Sequence, residues 1–146
     1  MNTTASDSAL STTQPVITAA GAKEVLAAAE AKAFEMGVPV AISVVDAAGA
    51  LKAFLAMDGV PPVALGWATD KAITAASFRA PTHTLADGLA EAPATLASVM
   101  AQPHATVAPA GFPLLVDGVV VGAVGASGGT PEQDRAVAET GVEALA

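Results

Sequence analysis

Three groups of residues in this chain of 146 have the types and spacing for chemistry. Lys71 lies in Trp67-Ala68-Thr69-Asp70-Lys71-Ala72-Ile73-Thr74-Ala75-Ala76-Ser77-Phe78. Residues three and four apart share a helix face, so Trp67, Lys71, Thr74 and Phe78 form one stripe. A lysine between aromatics and a threonine can hold a carboxylate, or serve as a base or Schiff-base amine where burial lowers its pKa. A solvated lysine, or one paired with Asp70 or Asp46, is the structural alternative. If Lys71 holds a ligand, Lys71→Met is expected to cost affinity and leave stability nearly unchanged.

The second group is Ser127-Gly128-Gly129-Thr130-Pro131, where an apolar run meets the start of a helix. Gly128 and Gly129 allow positive φ and close backbone approach, Thr130 suits the N-cap and Pro131 the first helical position. Gln133, three residues past the cap, completes a capping box. Free N–H groups and the positive end of the helix dipole favour a carboxylate or phosphate there. The expected ligand-binding residues are therefore Ser127, Gly128, Gly129, Thr130 and Lys71, with the Gly129 and Thr130 N–H groups aimed at the anion. Two charge-assisted hydrogen bonds of about 1.5–3 kcal/mol each barely offset an association cost of about 4–15 kcal/mol. The ligand must therefore carry an apolar body. A connection without a ligand is the alternative; Gly128→Val would then cost stability and not binding.

The third group comprises Asp46, Asp58, His83 and His104. Asp46 and Asp58 bracket a predicted hairpin, and either can act as an acid or base if the pocket lies at that end of the sheet; turn hydrogen bonding is the alternative for both. His83 and His104 fit no compact metal motif, but each lies beside or near a proline between helices and is available as a single axial ligand to an iron porphyrin. No Gly-x-Ser-x-Gly elbow and no phosphate-binding Gly-x-x-x-x-Gly-Lys loop occurs.

The elements that must position these residues are legible from apolar periodicity and from Gly and Pro punctuation. Helices are expected from Thr18 to Met36, Val63 to Phe78, about Pro81 onward, Ala94 to Gln102 and Pro131 to Leu145. Val38–Asp46 and Leu51–Met57 read as one hairpin. A second hairpin turns at Asp117-Gly118 in a type I′ turn. The fold class is α+β, one domain over residues 16–146, with an antiparallel β-sheet built from two hairpins and flanked by helices. Residues 1–15, rich in Ser and Thr, read as a disordered lead-in.

With no cysteine, disulfides and thiolate chemistry are excluded, and the chain reads as cytoplasmic. A net charge of −8 with six scattered Lys and Arg gives no basic stripe for nucleic acid, and no apolar run is long enough for a membrane span. Only 3% of residues are aromatic against 53% hydrophobic, so one subunit has few large anchors. A homo-oligomer larger than a dimer is expected.

Val44–Gly49, Met57-Asp58-Gly59, Lys71–Phe78 followed by Pro81-Thr82, Gly111-Phe112-Pro113 and Val121–Asp134 together resemble the GlcG/HbpS family, also called haem-degrading, which includes the C-terminal domain of PduO. The chain departs from it at Ala56, where many relatives carry arginine, and at Ala108-Pro109-Ala110, where a glycine-rich stretch is common. The resemblance implies an oligomeric α+β protein that binds haem or a small carboxylate and takes part in haem degradation or redox sensing. The haem propionates would meet Lys71 and Ser127-Gly128-Gly129; His83 or His104 as axial ligand rests on residue chemistry alone. The competing expectation is a cofactor-free isomerase, decarboxylase or hydrolase of an unsaturated carboxylic acid. In that case Lys71 binds the acid and Asp46, Asp58 or a histidine moves a proton.

Overall fold

A computed structural model describes residues 9–146; the first eight residues of the expected lead-in lie outside it. The first helix, α1 (Ala19–Met36), starts where the Thr18 side chain accepts the Gly21 N–H at 3.0 Å and ends at Gly37, whose φ of 67° closes the last turn. Strands β1 (Ala41–Asp46) and β2 (Leu51–Ala56) form the first hairpin. Pro61-Pro62 then starts α2 (Val63–Phe78), followed by the short α3 (Thr82–Gly88) and α4 (Pro93–Met100). The second hairpin, β3 (Gly111–Val116) and β4 (Val119–Ser127), turns at Asp117 and Gly118, with φ of 50° and 77°. Two consecutive positive φ values are what a type I′ turn requires. Helix α5 (Pro131–Glu143) ends the domain.

The sheet runs β2-β1-β4-β3 and is antiparallel throughout, so the two hairpins meet along β1 and β4. Helices cover both faces, and β1 is accordingly buried over five successive residues, all apolar but Ser43, in place of the one-sided alternation of a half-solvated sheet. Ile42, Val44, Phe112, Leu114, Val124 and Ala126 face α1 and α5. Ala41, Val45 and Ala123 face α2. On the α2 side the sheet carries a notch: Gly111 and Gly125 sit opposite each other across β3 and β4. A Cβ at Gly125 would collide with the Ala68 carbonyl, and one at Gly111 with the Lys71 carbonyl. The α2 backbone therefore rests directly on the sheet at Lys71.

Candidate functional site

The β4–α5 turn is built as its residue types dictate. Gly128 has φ of 132°, Thr130 is the N-cap, and the Thr130–Gln133 capping box is complete. That completeness corrects the expected anion site. The Thr130 N–H donates to Gln133 Oε1 at 2.9 Å, and the Gly129 N–H to Asp134 Oδ1 at 2.8 Å. Both donors are taken by side chains of α5's own first turn, and neither is open to a ligand.

Lys71 is buried, with 4% of its surface exposed. Its Nζ donates to the Ala126 carbonyl at 2.8 Å and to Asp134 Oδ2 at 3.3 Å. The lysine comes from one face of the sheet and the aspartate from the other, so the pair ties the two helical layers together at the end of β4. Burial holds the Lys71 pKa below the ordinary lysine value, against the opposing effect of the Asp134 charge and hydrogen bond. The expected partners Asp70 and Asp46 are not the ones used.

The pair is not sealed. Lys71, Asp134, Ser127, Gly128 and Gly129 line one cavity of about 410 Å³, walled on its other sides by Trp67 and Val63 of α2, Pro61, Thr106 and Ala108. This size falls within the about 300–1,000 Å³ usual for ligand pockets. The Ser127 hydroxyl meets no hydrogen-bond partner among the described residues. Lys71 and the Ser127–Gly129 turn, 56 residues apart at their nearest, thus share a cavity, and Trp67 from the same stripe as Lys71 joins them.

The rest of the stripe faces elsewhere. Thr74 and Phe78 line a second cavity of about 410 Å³ between α2 and α4. The Thr74 hydroxyl accepts the Thr106 N–H at 3.1 Å and lies 2.7 Å from the Asp70 carbonyl and 3.1 Å from that of His104. This buried threonine fixes the segment that divides the two cavities. His104, also on the second cavity, has φ of 62°, and its Nδ1 lies 2.9 Å from Asp70 Oδ1.

Three candidates fall away from the first cavity. Asp46 Oδ1 accepts the N–H groups of Ala48 and Ala50 at 2.9 and 3.0 Å, which makes it the organiser of the β1–β2 turn. It pairs in register with Gly122, whereas Ser127 pairs with Ala41, so at about 3.3 Å per residue it stands some 16 Å along the strand from the cavity. Asp58 is exposed and borders shallow depressions with Phe34 and Met57. His83 packs on Phe112 with ring centroids 5.7 Å apart, and its Nδ1 is buried without a hydrogen-bond partner. Asp134 was the residue sequence reasoning missed. Its signal was an acid in the first turn after Gly-Gly-Thr-Pro, but nothing local indicates that its cation lies 63 residues upstream.

No group of three His, Cys, Asp or Glu able to hold a metal ion occurs among the described residues. Likewise no described helix is long and apolar enough to cross a membrane.

Residues 17–143 match the model of a family described as haem degrading protein HbpS-like. A 15.0 kDa protein from the dhaT-dhaS intergenic region of Citrobacter freundii is 38% identical over 87% of this chain and 90% of its own length. The corrinoid adenosyltransferase PduO of Salmonella typhimurium is 33% identical over 81% of this chain but only 35% of that protein. Among solved structures, Klebsiella pneumoniae ORFY superposes with a TM-score of 0.88 at 30% identity, covering 96% of this chain and 97% of its own. The PduOC–haem complex superposes with a TM-score of 0.80 at 30% identity, covering 89% and 95%.

Proposed function

Because the chain belongs to the family of HbpS-like haem-degrading proteins, we propose that it is a small-molecule-binding protein whose ligand is an acid with an apolar body, carried in the cavity between α2 and α5. One observation carries this reading: a buried lysine with two of its three donor positions taken by protein atoms opens onto a largely apolar cavity beside the unpartnered Ser127 hydroxyl. A carboxylate there meets the third Lys71 position and Ser127 Oγ, while Trp67 and Val63 cover the apolar body. The anion is held by side chains, not by the helix N-terminus.

Haem is the second reading, supported by the relative crystallised as a PduOC–haem complex. The first cavity has no imidazole, thiol or thioether on its walls to take an iron. The second cavity does: with Nδ1 engaged by Asp70, His104 presents Nε2, the arrangement in which a carboxylate fixes the tautomer and orientation of a ligating imidazole. The residues therefore fit a haem at His104, with Phe78 and Val99 on the apolar side. Bound there, haem would supply iron-centred redox chemistry. His83, with its buried unpartnered Nδ1, lacks such an orienting group.

Two titrations test the readings. Hexanoate and benzoate are expected to bind saturably by calorimetry, and Ala108→Trp, which fills the mouth of the first cavity, is expected to abolish that binding; equal affinity in the variant contradicts the assignment. Haemin is expected to give a Soret band that His104→Ala removes and His83→Ala leaves. The reverse pattern would move the iron to His83.

A further inference from the structure

We propose that Lys71 also captures a second class of ligand covalently: Nζ forms an imine with a small aldehyde or ketone admitted to the α2–α5 cavity, and Asp134 carries the protons. The inference rests on the reading of this cavity as the ligand site and adds a carbonyl compound that takes the same Lys71 position as the acid.

A neutral lysine amine has two N–H bonds and one lone pair. Both hydrogen bonds of Nζ run to protein atoms, the Ala126 carbonyl and Asp134 Oδ2. The remaining tetrahedral position belongs to the cavity that Lys71 helps to line. In the ammonium form that position is an N–H suited to a carboxylate; in the amine form it is a lone pair suited to a carbonyl carbon. Desolvation at this buried site favours the amine, and apolar walls that exclude water favour an imine over its hydrolysis. Asp134 Oδ2, at 3.3 Å, is close enough to exchange protons with Nζ directly. Its other oxygen is held by the Gly129 N–H, which fixes the carboxylate in place.

The steps balance. The Lys71 ammonium gives a proton to Asp134, rotation about the Cε–Nζ bond turns the freed lone pair to the cavity, and the amine adds to the carbonyl carbon, forming the C–N bond as the carbonyl oxygen takes up the proton from Asp134. The nitrogen of this carbinolamine passes a second proton to Asp134. Asp134 returns it to the hydroxyl, the C–O bond breaks and water leaves. The product is a protonated imine beside the Asp134 carboxylate, with the same net charge as at the start and no oxidant or reductant consumed.

The test is reductive trapping of the full chain with propanal and sodium cyanoborohydride near neutral pH, with each lysine followed over time by peptide mass spectrometry. Exposed Lys23 and Lys52 serve as internal standards. Lys71 is expected to be propylated faster than either, because desolvation raises its amine fraction above theirs. Ala108→Trp, which leaves the Lys71–Asp134 pair untouched, is expected to slow Lys71 alone. Lys71 modified no faster than the standards, or at an unchanged rate in Ala108→Trp, overturns the proposal. Hexanoate affinity measured on the same samples separates the two readings: binding without propylation of Lys71 removes the imine and keeps the site, and neither binding nor propylation removes both.

Discussion

Lys71 shows how far a single residue can be read from its neighbours in sequence. Its place among Trp67, Thr74 and Phe78 marked it as a candidate, yet the stripe divides between two cavities because the segment His104–Ala108 lies across it. Its real partner, Asp134, reaches it only once α5 has folded onto the opposite face of the sheet. That partnership reverses the stability expected of Lys71→Met. Removing the lysine leaves a buried carboxylate without its cation, and the variant is expected to lose about 3–5 kcal/mol by urea denaturation. Lys71→Met combined with Asp134→Asn should recover part of that loss, since an asparagine Oδ1 still accepts the Gly129 N–H. The pH dependence has a defined sign. The folded protein releases the Lys71 proton at lower pH than the unfolded chain, so between the lowered value and the ordinary lysine value the unfolded chain holds more protons. Stability contributed by this group therefore rises with pH across that window and is lost as pH falls through the lowered value. The double variant should show a smaller slope there in denaturation midpoints.

At the scale of elements, the helices and both hairpins were legible because Gly and Pro punctuate them: Gly37, Pro61-Pro62, Pro93, Asp117-Gly118 and Pro131 stand at or next to the observed ends. What could not be read was the depth of contact. Nothing in the local pattern says that Gly111 and Gly125 will be opposite each other beneath α2, because register is a property of two strands and not of either. Gly125→Ala is expected to push α2 off the sheet and break the Lys71–Asp134 contact. The overpacking should cost at least about 1–3 kcal/mol, seen as a lower thermal midpoint with loss of ligand binding. The β4–α5 turn follows the same logic. The capping box was legible, but its consequence, that it seals the N–H groups, appears only when Gln133 and Asp134 are seen turned back onto Thr130 and Gly129. Thr130→Ala should accordingly cost about 1 kcal/mol of stability. A Cβ at Gly128 would press on the Pro39 carbonyl and Val60, so Gly128→Val should cost folding as well as binding.

For the molecule as a whole, covering the sheet on both faces explains how so few aromatic residues suffice for a core: Ala and Gly let α2 approach closely, and Val, Ile and Leu fill the other layer. The same economy leaves large side chains outside. Phe34 is 69% exposed, Trp67 53% and Phe78 46%, and α4 buries no residue in its own chain. These surfaces support the expected assembly, and light scattering at micromolar concentration should return a mass above that of a dimer; a monomer mass contradicts it. The proposed site depends on the two helical layers together, because it exists only where α2 and α5 meet at the end of β4. A crystal soaked with hexanoate tests it most directly. A carboxylate is expected within hydrogen-bond distance of Lys71 Nζ and Ser127 Oγ, with its chain against Trp67. Density bound only at other surfaces, with the Lys71–Asp134 cavity holding water alone, would contradict it.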